Sequence, residues 1–544
     1  MAHPSLTRWL SPASTPLTRR RLFRNGGLTA LLGAFGGAAS PARGALEVGP
    51  NLYESIGVKP VINAKGTFTI ISGSLSLPEV KQAMMEASKH YVHIDELMNA
   101  VGKRIAEITG AESAIVTSGC AAALTHATSA CIAGGDPEKI QRLPDLTGLK
   151  NQVVAPRYSR NVYDHAIRML GIEMVDVENV EELRHALGPR TAMIMVLASP
   201  EDTGPFGLEQ ITQVAKQRGV PVLVDAAAEG LTIPNIHLQR GADLVCYSGG
   251  KALRGPQSAG ILIGRKDLVR AAWTNSAPHH AFGRPMKVGK EEAMGMLAAV
   301  EMWVKRDHEA EWRSWEGWLE EIAQSVRRID GVTTEVRQPR GLSNRSPRLE
   351  VQWDGDKLGV YGEEVEKRLY SGDPRIVLAG GRGSRREGGE SSVSVMPWQM
   401  LPGDAAVIGD ALYRALSNPP EVSAATSSGP AADVGGQWDV TIDYVLAPTQ
   451  HKVFLEQTDA DLRGLHEGER TDGDVRGWVD RDKVRFSSRH RWEGASFGFT
   501  FEGVAKGDSM EGEVDLGEYF TAPWRATRHS YGGRPRPSRP QKNV

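Results

Sequence analysis

The chain has 544 residues, of which 40% are hydrophobic and 24% charged, and its formal net charge is −2 at pH 7. This length exceeds what one hydrophobic core supports and predicts roughly three or four domains of an ordinary soluble protein. The near-neutral charge argues against a nucleic-acid or acidic-lipid partner, and the three cysteines fit neither a disulfide framework nor a C-x-x-C metal site.

The first 44 residues predict an export signal rather than part of the fold. The sequence TRRRLFR at 18–24 has the form of a twin-arginine signal, and an apolar run at 26–39 leads to small residues at 42–44. This order predicts a periplasmic or secreted protein, or a cytoplasmic one if the signal is not functional. The alternative interpretation is a disordered basic N-terminus. No other segment reaches the ~20 apolar residues of a membrane helix.

Residues 45–310 predict a large α/β domain. Short apolar runs alternate with helical stretches, which is the pattern of a parallel sheet covered on both faces. The predicted strands are 113–117, 152–155, 192–197, 221–225 and 244–247, and the predicted helices include 181–187, 208–218, 291–307 and 312–328. A smaller α+β lobe is predicted at 311–418, in which 380–392 is interpreted as a mobile loop because it has few apolar residues.

A stretch rich in proline, alanine, serine and glycine at 419–436 predicts a linker. Beyond it, residues 437–531 alternate polar and apolar side chains, which predicts an antiparallel β-barrel or sandwich without an evident catalytic cluster. The predicted strands are 440–444, 452–457, 474–479, 483–487, 496–501 and 510–514. The arginine- and proline-rich tail at 532–544 is predicted to be disordered.

The strongest chemical signal is Lys251, in the sequence YSGGKALRGP at 247–256 directly after an apolar strand. The two preceding glycines allow the backbone to pass close to a ligand. A lysine at such a turn can form an imine with an aldehyde cofactor and transfer protons. Ser248, three residues earlier, can reach a phosphate oxygen. An ordinary surface turn is the alternative for this motif taken alone.

Asp225 ends an apolar strand upstream of Lys251. A carboxylate at a buried strand end is costly unless a cation accompanies it. A protonated pyridine nitrogen is such a cation. The small Ala227 leaves room for a flat ring beside the chain. A helix cap is the alternative role for Asp225.

The sequence TSGCAAA at 117–123 follows a strand and opens a helix of small residues. Backbone N–H groups at a helix N-terminus favour phosphate. Ser118, Gly119 and Cys120 are therefore candidate phosphate-binding residues, and a tightly packed helix start is the alternative. The lysine spacing of a nucleotide-binding P-loop is absent from this segment.

A phosphate turn, an aspartate and a lysine follow one another in the chain, each at a strand end. With further matching segments at 60–64, 105–112, 161–168 and 283–291, the chain resembles the selenocysteine-synthase-like group of fold type I pyridoxal 5'-phosphate (PLP) enzymes. That group includes seryl-tRNA(Sec) selenium transferase and D-glucosaminate-6-phosphate ammonia-lyase. The resemblance covers about residues 50–416 and is closer to the ammonia-lyase branch.

The resemblance implies the aspartate-aminotransferase fold, a mainly parallel sheet with a smaller α+β lobe. It implies that Lys251 carries PLP as a Schiff base and that Asp225 faces the pyridinium nitrogen beside Ala227. The segment 118–120 and Ser248 would surround the phosphate. No metal is implied.

The same resemblance implies further substrate contacts. Arg284, Lys287 and Lys290 are expected near the active site, at the interface of a homodimer or a higher homo-oligomer. Arg375 is a candidate for a bidentate contact with a substrate carboxylate, with a surface arginine before a strand as the alternative.

One ring-facing residue is expected after the strand at 152–155, and the sequence does not select it. The choices are Arg157, Tyr158, Ser159, Arg160 and His165.

Together these residues predict a PLP-dependent lyase that acts on a small amino acid or amino sugar acid and releases ammonia by α,β-elimination. The alternatives are an aminotransferase or selenium-transferase-like enzyme, and a non-catalytic exported binding protein on the same scaffold. A tRNA-dependent role is disfavoured by the near-neutral charge and the predicted export signal.

Overall fold

Three hydrophobic cores divide the chain into a large domain, a small lobe and a C-terminal barrel. The computed structural model describes residues 46–419 and 430–530. The predicted export signal at 1–44, most of the predicted linker at 419–436 and the predicted tail at 532–544 lie outside these ranges. Within 46–419 and 430–530, no helix has the length and apolar character needed to cross a membrane.

The large domain is built on a seven-stranded sheet. The first strand of the chain, β1 (Val61–Ala64), lies outside this sheet. The seven strands are β2 (Ser113–Thr117), β3 (Gln152–Pro156), β4 (Glu173–Val177), β5 (Thr191–Leu197), β6 (Val222–Asp225), β7 (Leu244–Ser248) and β8 (Gly260–Gly264). Their order across the sheet is β2-β8-β7-β6-β5-β3-β4.

The direction of these strands decides which residues meet. β3 to β7 run parallel, and β8 is antiparallel to both β2 and β7. β2 and β7 therefore point the same way, so the carboxyl ends of β2, β6 and β7 share one edge of the sheet. Ligands of open α/β sheets bind at that edge.

Helices pack around the large sheet. They are α1 (Pro78–Ser88), α2 (Ile94–Thr109), α3 (Gly119–Ala133), α4 (Pro137–Arg142), α5 (His165–Arg168), α6 (Val180–Ala186), α7 (Leu208–Arg218), α8 (Ile236–Gln239), α9 (Lys266–Thr274) and α10 (Lys290–Lys305). α2 buries Met98, Val101 and Ile105 along one stripe, as an amphipathic helix does. α3 is almost entirely buried, and its small side chains allow that close packing.

The small lobe combines an antiparallel sheet with helices. α11 (His308–Val326) leads into it, and α12 (Gly355–Leu358), α13 (Gly362–Ser371) and α14 (Asp404–Ser417) follow. Its strands are β9 (Thr333–Arg337), β10 (Arg348–Asp354), β11 (Arg375–Leu378), β12 (Gly380–Arg382) and β13 (Glu390–Val395). The sheet order is β12-β13-β10-β9, and β11 pairs in parallel with β1, which ties the N-terminal segment to this lobe.

The prediction of a mobile loop at 380–392 is wrong at both of its ends. Residues 380–382 form β12, and β13 begins at Glu390. A Cβ added to Gly381 would lie 2.2 Å from the carbonyl oxygen of Gly362, so the glycine is required where the strand approaches α13. The low apolar content of this segment thus reflects close backbone packing as well as turn formation.

The C-terminal domain is a closed antiparallel barrel. Its strands are β14 (Gly436–Asp443), β15 (Pro448–Thr458), β16 (Asp461–Glu467), β17 (Asp472–Asp480), β18 (Lys483–Trp492), β19 (Ala495–Lys506), β20 (Ser509–Asp515) and β21 (Thr521–Arg528). Each strand pairs with the next, and β21 pairs with β14, so no sheet edge is left open. The sequence predicted six of these strands and missed β16, whose alternation is interrupted at Gly464, and β21, which contains the strand-disfavouring Pro523.

Three histidines lie inside the barrel among aromatic side chains. The rings of His451 and His466 are hydrogen-bonded through nitrogens 2.9 Å apart, and the His466 and His490 rings through nitrogens 3.0 Å apart. All three are buried. Burial lowers the pKa of His451 to about 4 and that of His466 to about 2, from an ordinary value of 6.5, and it also lowers the pKa of His490.

These histidines make the stability of the barrel depend on pH. Below pH 6.5 these histidines bind protons in the unfolded chain but stay neutral in the folded barrel. The free energy of unfolding should therefore fall as the pH drops from about 6.5 to about 4. Each kcal/mol lost lowers the melting temperature of a domain of about 100 residues by roughly 4–8 °C. Thermal melts of the full-length protein against pH measure this slope.

The matched controls are His466→Gln, which removes one buried proton site, and His90→Gln, which changes an exposed histidine. The slope should become shallower in the first variant and stay unchanged in the second. A melting temperature of the barrel that is constant between pH 7 and pH 4 contradicts the prediction.

Candidate active site

Lys251 lies in a tight turn after β7. The Gly249 N–H donates to the Ala259 carbonyl at 2.8 Å, and the Gly255 N–H donates to the Gly249 carbonyl at 2.8 Å. A Cβ on Gly249 would lie 2.7 Å from that Ala259 oxygen, so the position accepts only glycine. The Lys251 ammonium makes no ion pair within the described ranges; it faces the ring of Tyr163, 5.9 Å from the centroid.

Asp225 is buried at the end of β6, with 3% of its surface exposed. Its Oδ1 accepts a hydrogen bond from the Ala227 N–H at 3.1 Å and contacts the thiols of Cys120 and Cys246 at 3.6 and 3.9 Å. Burial raises the pKa of Asp225, and the charge of Lys251 opposes that rise. Among residues 46–419 and 430–530, no cation forms an ion pair with this carboxylate and nothing donates to its Oδ2.

Two buried thiols accompany this carboxylate. A hydrogen bond with Cys246, followed by burial, raises the pKa of Cys120 well above its ordinary value, and burial raises the pKa of Cys246. Both thiols therefore keep their protons and act as weak donors to Asp225. The Cys120 thiol faces Asp225, while its backbone N–H lies in the first turn of α3, where the sequence predicts the phosphate.

The N-terminus of α3 lies at the same edge and is not capped by its own side chains. Ser118 is the N-cap residue and makes no side-chain capping hydrogen bond. Gly119 has φ +78°, and the space next to it is open. A Cβ on Gly260 would lie 2.8 Å from the Cys120 nitrogen, so this glycine lets β8 pass directly behind the turn. The N–H groups that begin α3 thus remain available to an anion.

These groups fit PLP. An aldehyde needs an amine, a pyridinium needs an anionic partner, and a phosphate needs N–H donors. Lys251, Asp225 Oδ2 and the start of α3 offer the three on one sheet edge, and within residues 46–419 and 430–530 the Lys251 ammonium contacts an aromatic ring instead of a carboxylate. Ala227 and Ser248 flank the same strand ends, half-buried.

Tyr163 is the residue that the sequence reasoning missed. It lies in a 3-10 helix, Val162–Asp164, and its ring faces Lys251. Tyr163 is itself 50% exposed, and what distinguishes it from the five candidates that the sequence offered is the contact of its ring with the Lys251 ammonium. Arg157 pairs with Glu178, Tyr158 donates to the Phe206 carbonyl, Ser159 accepts from the Leu197 N–H, Arg160 pairs with three carboxylates, and His165 is exposed. Tyr163 is the aromatic residue of 161–168, a segment that carries the family resemblance, and this position could have pointed to it.

Within the described part of this single chain, no contact joins the predicted substrate-binding residues to Lys251. Arg284 and Lys287 are exposed in the segment between α9 and α10, and Lys290 pairs with Glu291. Arg375 begins β11, and its guanidinium packs on the ring of Tyr370 at 5.1 Å. Arg375 is half-buried rather than a surface arginine, and its Nε has no hydrogen-bond partner within the described residues, so its carboxylate-binding role stays a prediction.

A cavity of about 860 Å³ adjoins the Lys251 turn. Ala252 and Arg254 of that turn contribute to its wall, together with five tryptophans. These are Trp303, Trp312, Trp315, Trp318 and Trp398. Lys251, Asp225 and Ser118 are not among the lining residues, so the cavity is adjacent to the cofactor-binding edge rather than part of it.

The close approach at Gly260 yields a prediction about cofactor affinity. Gly260→Ala should push the start of α3 away from β8 and weaken PLP binding by about tenfold or more, which corresponds to about 1.4 kcal/mol. Gly135→Ala is the matched control, because nothing lies within 4 Å of an added Cβ there. Spectrophotometric titration with PLP measures both affinities. Equal affinity in the two variants contradicts the prediction.

Comparison with known proteins places this geometry in a family. Residues 78–282 match the model of the aminotransferase class-V family. The chain is 32% identical over 340 residues to D-glucosaminate-6-phosphate ammonia lyase of Salmonella typhimurium (strain 14028s / SGSC 2262), which covers 60% of this chain and 89% of that protein. It is 33% identical over 352 residues to 5'-C-glycyluridine monooxygenase-decarboxylase of a Streptomyces species, covering 60% and 83%.

A more distant relative is L-seryl-tRNA(Sec) selenium transferase of Moorella thermoacetica, 26% identical over 332 residues, which covers 55% of this chain and 64% of that protein. The solved structure of D-glucosaminate-6-phosphate ammonia-lyase superposes with a TM-score of 0.59 at 30% identity, covering 68% of this chain and 98% of the other. The predicted fold and the PLP cofactor are thereby confirmed. The chain is a PLP-dependent enzyme, lyase or transferase, and it belongs to the fold type I family of D-glucosaminate-6-phosphate ammonia-lyase and seryl-tRNA(Sec) selenium transferase.

Proposed function

We propose that this enzyme is an ammonia-releasing lyase that acts on a small amino acid or amino sugar acid by α,β-elimination. The observation that carries the proposal is the buried Asp225 carboxylate, which lies at the same sheet edge as Lys251 and whose Oδ2 receives no hydrogen bond within the described residues. A carboxylate in that position keeps a pyridine nitrogen protonated, and a protonated ring stabilises negative charge on a substrate carbon most strongly. The relation to an ammonia lyase at 32% identity supports the choice of elimination.

The roles of the residues follow from where they lie. Lys251 would hold the aldehyde of PLP, Asp225 the ring nitrogen, and the N–H groups of 119–121 with the Ser118 and Ser248 hydroxyls the phosphate. PLP, when bound, supplies an electron sink next to the substrate amine. Once the substrate amine takes its place, the Lys251 amine is free to accept the proton of the adjoining carbon.

Tyr163 would then form the wall opposite Lys251. Burial raises the pKa of its phenol, and the negative charge of Asp225 adds to the rise, so the hydroxyl stays protonated and can donate a hydrogen bond. Loss of the group on the next carbon, followed by hydrolysis, releases ammonia and a keto acid.

Assembly is part of the proposal. Ile70 and Tyr91 are apolar and almost fully exposed in the single chain, at 89% and 103%, and side chains of this kind suit an interface. Arg284 and Lys287 are exposed as well. We propose a homodimer in which Arg284 and Lys287 approach the substrate of the partner's site. We also propose export through the twin-arginine signal, without a nucleic-acid partner and without membrane attachment after signal removal.

The cofactor role of Lys251 is tested by substitution in the full-length protein. Lys251→Ala should lose the visible absorbance that PLP acquires on a lysine, together with all turnover. Lys266→Ala, which changes an exposed lysine outside the site, should keep both. A Lys251→Ala variant with an unchanged visible band would refute the assignment.

The reaction type is tested by product analysis on a panel of amino acids and amino sugar acids. Ammonia released without an added keto acid supports the lyase, whereas turnover that requires a keto acid identifies an aminotransferase. Oxygen uptake with CO₂ release would match the chemistry named for the Streptomyces relative. Either of the last two results overturns the proposal of elimination.

A further inference from the structure

The C-terminal barrel contacts the large domain beside Tyr163. The turn between β18 and β19 contains Glu493 and Gly494, and a Cβ on Gly494 would lie 2.2 Å from the Asn161 carbonyl oxygen and 2.4 Å from Asp164 Oδ2. The barrel backbone therefore lies directly on the short helix Val162–Asp164. No side chain other than hydrogen fits at residue 494 without moving one of the two surfaces.

Arg160 joins the same two surfaces by charge. Its guanidinium binds Asp164 and Glu493, each at 2.5 Å, and it also pairs with Asp176. The Arg160 side chain is 10% exposed and that of Asp164 is 1% exposed. The Glu493 carboxylate is 36% exposed, and Arg160 keeps Asp164 and Asp176 when Glu493 is removed, so loss of this pair costs less than loss of a fully buried one.

The residues that the barrel touches are those that shape the helix around Tyr163. The Asn161 side chain accepts from the Tyr163 N–H at 2.7 Å, and the Asp164 side chain accepts from the Asn161 N–H in return. Displacement of the barrel turn thus acts on both ends of the element that carries the Tyr163 ring.

Glu518, in the barrel segment Gly517–Tyr519, adds to the raised pKa of Tyr163 after burial, Asp225 and Cys120. A second link joins the barrel to the small lobe. In the small lobe, Arg386 pairs with Asp461 of the barrel and lies 5.3 Å from the ring centroid of Trp478. The barrel is thereby connected to both lobes of the enzyme.

We propose that the C-terminal barrel positions the active site in cis: its Glu493–Gly494 turn fixes the helix of Asn161–Asp164 and so holds Tyr163 against Lys251. Glu493, Gly494 and Arg160 are positioning residues, and Tyr163 is the residue through which they act. The inference rests on the proposed role of Lys251.

The test compares two glycines of the same barrel hairpin in the full-length, PLP-loaded protein. Gly494→Ala places a methyl group into Asn161 and Asp164, whereas Gly498→Ala meets nothing closer than 3.8 Å. Amide hydrogen exchange of a peptide covering 161–165 should accelerate by about tenfold in the first variant and remain unchanged in the second. Turnover should fall with it, while the melting transition of the barrel stays in place.

A double-mutant cycle then asks whether the effect passes through Tyr163. In a Tyr163→Ala background, Gly494→Ala should cause little further loss of kcat, because the ring that it displaces is already gone. Fully additive losses, or unchanged exchange at 161–165 in Gly494→Ala, overturn the proposal. An accelerated exchange without any change in kcat overturns it as well.

A charge variant covers the case in which Gly494→Ala fails to fold. Glu493→Gln removes the ion pair to Arg160 at nearly constant size. Glu502→Gln is its control, because Glu502 pairs with Arg485 on the exposed surface of the barrel itself. Faster exchange at 161–165 is expected only in the first. PLP uptake by Lys251 is measured separately, so a failed cofactor assignment and a failed positioning role give different results.

Discussion

The buried carboxylate of Asp225 is the constraint on which the site depends. Removing an ionised carboxylate from water costs several kcal/mol unless a cation or strong donors compensate. Here one backbone N–H and two weak thiol donors reach Oδ1, and no side-chain cation forms an ion pair with the group in the described ranges. Asp225 is 3% exposed, and the protonated ring nitrogen of bound PLP would be the cation that stabilises its ionised form. Lys251 and the start of α3 matter because strand direction brings them to the same sheet edge.

Much of this arrangement follows from the sequence. Apolar runs predicted strands β2, β3, β5, β6 and β7, and strand-end positions singled out Asp225, Lys251 and the turn at 118–120 as one site. The choice of Tyr163 did not follow, because it depends on how a short 3-10 helix turns back toward Lys251 and on hydrogen bonds that Asn161 makes within it. The packing of Arg375 on Tyr370 likewise depends on tertiary structure, and no local sequence pattern predicts it.

The glycines show which contacts could be predicted from the sequence and which could not. The role of Gly249 in the lysine turn could be predicted, because it precedes a reactive residue. In the sequence, Gly494 looks like any hairpin glycine and Gly381 like part of a loop. At each position an added Cβ would lie 2.2 Å from a carbonyl oxygen of another segment, so only glycine allows the two backbones to approach. Such contacts decide how the barrel lies on the large domain and how β12 lies on α13. They explain why the domain order was predictable and the relation between the domains was not.

The most direct test of the central claim is the protonation state of the pyridine nitrogen, read by NMR from ¹⁵N-labelled PLP bound to the full-length protein. A protonated nitrogen in the native enzyme, lost in Asp225→Asn at the same pH, is the expected result. An unprotonated nitrogen in the native enzyme would show that Asp225 balances no ring cation, and the proposed chemistry of this site would have to be abandoned.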